Sequence, residues 1–265
     1  MLKQRLLTAA LLIPLVVLGV LLLPDTYFAL AVGLVVALAA WEWAGLLKWS
    51  APLRAAYVVF LCAILVGVYH APILWIVAPA LLGWALAAAW VIGFPFGKSV
   101  WSAPAVAALL GLLVLVPSWV ALLAMRDMMT PYMVLFLLSF IWLGDSAAYF
   151  AGRRWGKTKL AARISPGKTW EGVYGAVVAV VIYALAVQPW LAPHSPPWMF
   201  ALLCLLTLLV SVIGDLFKSM FKRHAGVKDS GHLLPGHGGI LDRIDSLTAA
   251  APVFLAGLLL LGQRA

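Results

Sequence analysis

The densest collection of residues able to do chemistry lies between Ser211 and Asp245. This stretch holds four of the chain's nine carboxylates, Asp215, Asp229, Asp242 and Asp245. It adds the cations Lys218, Lys222, Arg223, Lys228 and Arg243 and three of the five histidines, His224, His232 and His237. Asp215 and Ser219 are four positions apart and share a face on a continuing helix. Asp242 and Asp245 are three apart at the start of the next apolar segment and do the same. Carboxylates converging from two helix ends suit a hard divalent cation such as Mg²⁺. Between them runs Pro235-Gly236-His237-Gly238-Gly239, where glycines let the backbone approach a ligand and aim N–H groups at an anion. Acids for a metal, bases for phosphate and a glycine turn between them point to phosphoryl-type chemistry. A basic loop set only by membrane topology would account for the Lys and Arg, but not for the carboxylates or the His-Gly-Gly turn.

The same residues carry a family resemblance. The pattern Ser219-x-Phe221-Lys222-Arg223-x4-Lys228-Asp229-x-Gly231-x2-Leu234-Pro235-x-His237-Gly238-Gly239-Ile240-x-Asp242-Arg243-Ile244-Asp245 resembles the motif of phosphatidate cytidylyltransferases, also called CDP-diacylglycerol synthases, with no departure over its 27 residues. The resemblance implies transfer of the cytidylyl group of CTP to phosphatidate, with CDP-diacylglycerol and pyrophosphate as products. It implies a cofactor too, Mg²⁺ or another divalent cation. On this basis Asp215, Asp242 and Asp245 are expected to bind metal, with Asp145 as an additional candidate. Lys222, Arg223, Lys228, Arg243 and Lys168 are expected to hold phosphates. His237, Gly238 and Gly239 would line the nucleotide phosphate site, and Ser219 would hydrogen-bond a phosphate or cap. Asp229 is expected among the substrate-binding residues, and its loss would cost less than that of the other acids if it only orders Lys228 or Arg223.

Composition supplies the setting. The chain has 265 residues, 65% of them hydrophobic and only 10% charged. Its mean hydropathy is +1.08, which a soluble domain cannot hide, so the expected class is an all-α polytopic membrane protein. Thirteen tryptophans suit two aromatic belts at the membrane interfaces. The net charge of +9 sits beside apolar spans, so anionic lipid and phosphate substrates are the expected partners and nucleic acid is not. Cys62 and Cys204 lie inside apolar runs and form no metal spacing.

Hydropathy suggests nine spans, at about 6–23, 27–47, 53–69, 72–93, 103–125, 131–150, 172–187, 198–217 and 246–262. The third and seventh are short for a bilayer. The first resembles a signal peptide, but its apolar run is about span length, and it is read as an uncleaved helix. Residues 1–130 then form an N-terminal scaffold of about five helices, and 131–265 a catalytic region of about four. The scaffold also offers a surface for a homodimer. Its lone intramembrane acid, Glu42 between Trp41 and Trp43, is expected to be structural, because no polar residue accompanies it in sequence. With the N-terminus in the cytoplasm, sixteen of the 18 Lys and Arg fall on that side, leaving only Arg126 and Arg264 opposite. This asymmetry places both charged loops in the cytoplasm, in keeping with a bacterial inner membrane.

The second charged loop follows the sixth span. Asp145 lies within apolar sequence, so it is either paired or lines a polar cavity. Gly167-Lys168-Thr169 has the ending of a phosphate-binding P-loop, but position 162 is Ala where that motif needs Gly. Ser165-Pro166-x-Lys168-Thr169-Trp170-Glu171-Gly172 instead resembles an upstream block of the cytidylyltransferases. Gly144-Asp145 and Gly214-Asp215 are similarly placed before basic loops, a pairing too short to establish a repeat. Two other functions fit parts of the pattern. A CTP-dependent kinase of polyprenol or phytol shares the logic, but the unbroken motif argues against it. An ion-coupled transporter could use Asp145 and Asp215, but its polar residues would gather at the midplane instead of at one membrane face.

Overall fold

The computed structural model describes residues 2–231, 233 and 238–262, with side chains from residue 10 onward. His232, His237, Pro235, Gly236 and Arg264 therefore lie outside the described residues. The described chain is helical nearly throughout: α1 (Leu2–Leu22), α2 (Asp25–Leu46), α3 (Ala51–Val68), α4 (Ile73–Ile92), the single turn α5 (Lys98–Trp101), α6 (Pro104–Met128), α7 (Pro131–Trp155), α8 (Trp170–Leu191), α9 (Pro197–Ala225) and α10 (Asp245–Leu260). Seven of these, α2, α3, α4, α6, α7, α8 and α9, are long and apolar enough to cross a membrane. The apolar part of α1 and the whole of α10 are shorter. The all-α polytopic class holds, and each of the nine expected spans falls on a helix.

Helix boundaries follow local chemistry. Proline occupies the first turn of α3, α6, α7 and α9, where its missing N–H leaves no bond unmade. Gly226 ends α9 in the left-handed region at φ 79°, and Val227 donates back to the Lys222 carbonyl at 3.0 Å. Three departures from the hydropathy spans have physical causes. The seventh span is not short: α8 runs to Leu191, because buried Gln188 donates to the carbonyls of Ala192 and Ser195, both at 2.8 Å, and so caps its own end. Helix α9 continues past Phe217 to Ala225, because Lys218 and Lys222 are buried with partners instead of ending the helix at water. Between α7 and α8 the chain forms a hairpin, β1 (Lys159–Ala161) antiparallel to β2 (Ser165–Thr169), in a stretch with no strand-like alternation.

Packing centres on two aromatic clusters. One joins α2, α4, α6 and α9 around Trp43, Trp84, Phe217 and Phe221, with Trp43 and Phe221 centroids 4.8 Å apart. The other joins α7, α9 and α10 around Phe136, Phe140, Phe200 and Phe254. Helix α9 belongs to both, so it ties the first half of the chain to the second. At Gly214 its backbone lies close against α10. A Cβ placed there would stand 2.6 Å from the Ala249 Cβ and 2.9 Å from the Asp245 carbonyl. That contact seats Asp215 beside Asp245, so Gly214→Ala should force the helices apart, lowering both the melting midpoint and turnover. Gly67→Ala, where a Cβ meets nothing within 4 Å, serves as the neutral control, and thermal melts with activity assays compare the two.

Candidate active site

At one end of the helix bundle the C-termini of α2, α7 and α9 and the N-termini of α8 and α10 come together, with the β1–β2 hairpin and the loop 226–244 between them. The hairpin is held at its base. Glu171 accepts the Thr158 N–H at 3.1 and 3.2 Å, and Trp170 donates to the Thr158 carbonyl at 3.0 Å. Thr169 caps α8 by accepting the Gly172 N–H. Arg223, in the last turn of α9, donates Nε to the Ile164 carbonyl at 3.1 Å and Nη1 to the Val227 carbonyl at 3.3 Å. This side chain therefore couples the hairpin to the start of the loop.

The charges form a paired array. Lys168, from β2, meets Asp215 Oδ2 at 2.5 Å. On its other oxygen Asp215 accepts the Ser219 hydroxyl at 3.2 Å, as the four-residue spacing predicts. Lys222 meets Asp242 Oδ1 at 2.7 Å. Lys218 is only 1% exposed; it donates to the Asp245 carbonyl and the Thr248 hydroxyl and lies 6.0 Å above the Trp84 ring. That burial is affordable only because several partners replace the water lost. The carboxylates of Asp145, Asp215 and Asp245 lie within charge-coupling range of one another, with Lys168, Lys218, Lys222 and Arg243 as the surrounding cations. Gly144-Asp145 and Gly214-Asp215, similar in sequence, thus converge in space.

Asp242 faces the loop. Its Oδ2 accepts the N–H groups of Ser230 at 2.8 Å and Gly239 at 3.1 Å. Burial disfavours its charge, but the Lys222 ammonium and these two N–H groups more than offset that, holding the carboxyl below the usual carboxylate range. The two described glycines of the turn have different reasons to be glycine. Gly238 adopts φ 79°, a left-handed conformation. Gly239 has no room for a side chain, since a Cβ there would run into the Glu42 carboxylate and the Ser230 hydroxyl. Its N–H, expected to face an anion, is used by Asp242.

Glu42 is the residue whose part here sequence reasoning missed. It is 3% exposed near the end of α2. Its Oε1 accepts the Ile240 N–H at 3.0 Å, and its Oε2 accepts the Leu241 N–H at 2.8 Å and the Ser230 hydroxyl at 2.9 Å. The available signal was a lone acid in an apolar span; its partners are nearly two hundred residues away and mostly backbone.

Of the residues expected from sequence, Asp145, Asp215, Asp242, Asp245, Lys168, Ser219, Lys222, Arg223, Gly238 and Gly239 gather at this end of the bundle. Arg243 is exposed at the loop's end, where its charge reaches Asp145. Lys228 and Asp229 stand exposed on the loop surface, and His237 lies outside the described residues. Among the described residues no three His, Cys, Asp or Glu side chains are arranged as a ready-made metal site. The donors are nonetheless of the right kind: Mg²⁺ is commonly held by one or two carboxylates together with water and substrate phosphates.

A model described as the cytidylyltransferase family matches residues 3–261 of the chain. Phosphatidate cytidylyltransferase of Pseudomonas aeruginosa is 43% identical over 261 residues, covering 97% of this chain and 96% of the relative. The protein of the same name from Haemophilus influenzae is 40% identical over 282 residues, covering 96% and 97%. A Brucella suis relative, again of that name, is 51% identical over 118 residues, or 44% of this chain.

The Asp242 geometry has a pH consequence. With its carboxyl held below the ordinary value, the stabilisation it provides is complete above the usual carboxylate range of about 4 and is lost as pH falls through the lowered value. Lys222→Met removes the ammonium, so the carboxyl should rise and the acid loss should begin at higher pH. Melting midpoints taken between about pH 3 and 6 should show the variant's decline displaced upward from the parent's; superimposable declines would contradict the pairing.

Proposed function

The chain belongs to the cytidylyltransferase family, and from that premise we propose that it transfers the cytidylyl group of CTP to phosphatidate, giving CDP-diacylglycerol and pyrophosphate. The observation that carries this reading is the meeting of the hairpin and the 226–244 loop over the acids of α7, α9 and α10, joined by Lys168–Asp215, Lys222–Asp242 and the Arg223 bonds. In the proposed reaction a phosphatidate oxygen attacks the α-phosphorus of CTP, and the bond to the bridging oxygen of pyrophosphate breaks. The attacking oxygen is already anionic near neutral pH, so no strong base is needed. The obstacle is repulsion between phosphates and charge on the leaving group, which fixed cations and in-line positioning address.

Lys168, Lys222, Arg223, Lys228 and Arg243 are assigned to the phosphates, and the turn from His237 to Gly239 to the nucleotide phosphates. Asp215, Asp242 and Asp245, with Asp145 beside them, are assigned to a divalent cation, proposed to be Mg²⁺. When bound, it would supply Lewis-acid neutralisation of the reacting phosphates. The fit rests on the donor chemistry and on the nearness of Asp145, Asp215 and Asp245, whose mutual repulsion a cation would relieve. Phosphatidate is proposed to enter sideways from the inner leaflet with its acyl chains still in lipid.

The site is further proposed to face the cytoplasm of a bacterial inner membrane, from the distribution of Lys and Arg. Single cysteines introduced as Lys157→Cys and Lys228→Cys should resist an impermeant reagent in intact cells, and ready labelling from outside would reverse the orientation. For the chemistry, purified protein should release pyrophosphate from CTP only when phosphatidate is added. Asp215→Asn and Asp242→Asn keep volume and remove charge. Each should lower turnover at least ~10²-fold, the scale of losing one electrostatic stabiliser of the transition state. Near-normal turnover and unchanged Mg²⁺ dependence in both would remove these acids from the catalytic centre.

A further inference from the structure

Glu42 is not needed to make α2 a helix or to seat it. The helix is apolar throughout this region, and an apolar side chain at position 42 would be buried without giving up hydration. Among the described residues, the hydrogen bonds the carboxylate accepts come instead from the segment bearing the glycine turn: Ser230 on one side, Ile240 and Leu241 on the other. Gly231 and Gly239 both press against it, and a Cβ at either position would strike it. The adjacent Trp43 fixes where the carboxylate stands. Its ring is fully buried, its Nε1 donates to the Ala107 carbonyl at 2.9 Å, and it packs on Phe217 and Phe221 of α9, whose centroids lie 6.4 and 4.8 Å away. Glu42 is therefore referenced to the same helix that carries Asp215 and Lys222.

We propose that Glu42 is a positioning residue of the active site: from the N-terminal half of the chain, its carboxylate holds Ser230 on one side of the glycine turn and Ile240 and Leu241 on the other, and so sets the geometry in which the loop receives the phosphates of the nucleotide. It shares the task with Asp242. Between them the two carboxylates take five donors from the loop, the N–H groups of Ser230, Gly239, Ile240 and Leu241 and the Ser230 hydroxyl. Asp242 closes the loop on itself and onto Lys222, whereas Glu42 anchors it to a different part of the protein. A carboxylate suits this position because it accepts on both oxygens and donates nothing, while its described partners are all donors. Glutamine has nearly the same shape but turns an N–H₂ toward those donors, so at least one bond is lost and a donor is left facing a donor. Aspartate keeps both acceptors and withdraws them by one methylene.

That the loop receives CTP rests on the function proposed above, so one readout must stand apart from it. Hydrogen–deuterium exchange of Ile240 and Leu241 needs no substrate, since both N–H groups end on Glu42. In Glu42→Gln these amides should lose about tenfold or more of their protection, the scale of a lost hydrogen bond to a charged group, while amides in the α9 core keep theirs. In steady-state kinetics the same variant should raise KM for CTP at least about tenfold and leave KM for phosphatidate unchanged, with Glu42→Asp recovering part of the loss. If Glu42→Gln does not fold, Ser230→Ala, which removes one donor and leaves the carboxylate in place, should produce the same two changes to a smaller degree. Parent-like exchange at Ile240 and Leu241 would overturn the clamp. Altered exchange with an unchanged KM for CTP would reduce Glu42 to a structural tether.

Discussion

Burying a charge where water cannot follow is the constraint on which this structure depends. Lys218, Lys222, Glu42 and Asp242 are all largely withdrawn from solvent at one end of an apolar bundle. A charge in that position persists only if other charges or oriented dipoles replace its hydration. Each one finds such partners on a different element. Lys218 of α9 reaches the start of α10, Lys222 reaches Asp242, and Glu42 of α2 reaches the loop before α10. The bonds that make burial tolerable are thus the bonds that join the elements, and the electrostatics of the site and the architecture of this end of the molecule are one network.

On the function proposed above, pairing also bears on how ligands could enter. The acids assigned to a divalent cation and the lysines assigned to phosphates neutralise each other, Asp215 with Lys168 and Asp242 with Lys222. A nucleotide arriving with its cation can exchange these pairs for acid–metal and lysine–phosphate pairs. No charge is stranded in a poorly screened site, as would happen if either ligand were bound by a group without a partner. Arg223, bonded to two backbone carbonyls, ties the hairpin to the start of the loop.

The membrane architecture was legible in the sequence because hydropathy responds to the same burial that organises the helices, and each expected span overlaps one, with ends that differ by a few residues. It misled where burial and charge coincide. Lys218 and Lys222 read as the exit of a span, but α9 continues through them because their partners come from residues 242–248. The hairpin was invisible, since Lys159–Ala161 and Ser165–Thr169 show no alternation and gain their order from Glu171 and Thr158. Part of the candidate site could be placed by motif: Ser219 bonds Asp215 as their spacing predicts, and Gly238 takes a left-handed conformation that favours glycine. The convergence of Asp145 with Asp215 and Asp245 needed the fold. The partners of Glu42 needed the fold too, because a one-dimensional pattern shows side-chain neighbours, whereas its donors are distant in sequence and mostly backbone N–H groups.

The central claim is that this charged end of the bundle transfers a nucleotidyl group and not a terminal phosphate, and the fate of the three phosphates of CTP tests it most directly. CTP labelled in the α-phosphate, and separately in the γ-phosphate, would be incubated with the purified protein and phosphatidate, and the lipid extracted. The account predicts that the α label enters the lipid while the γ label leaves entirely in pyrophosphate, in equal amount. The γ label in lipid, with CDP released to water, would contradict it and identify a CTP-dependent lipid kinase.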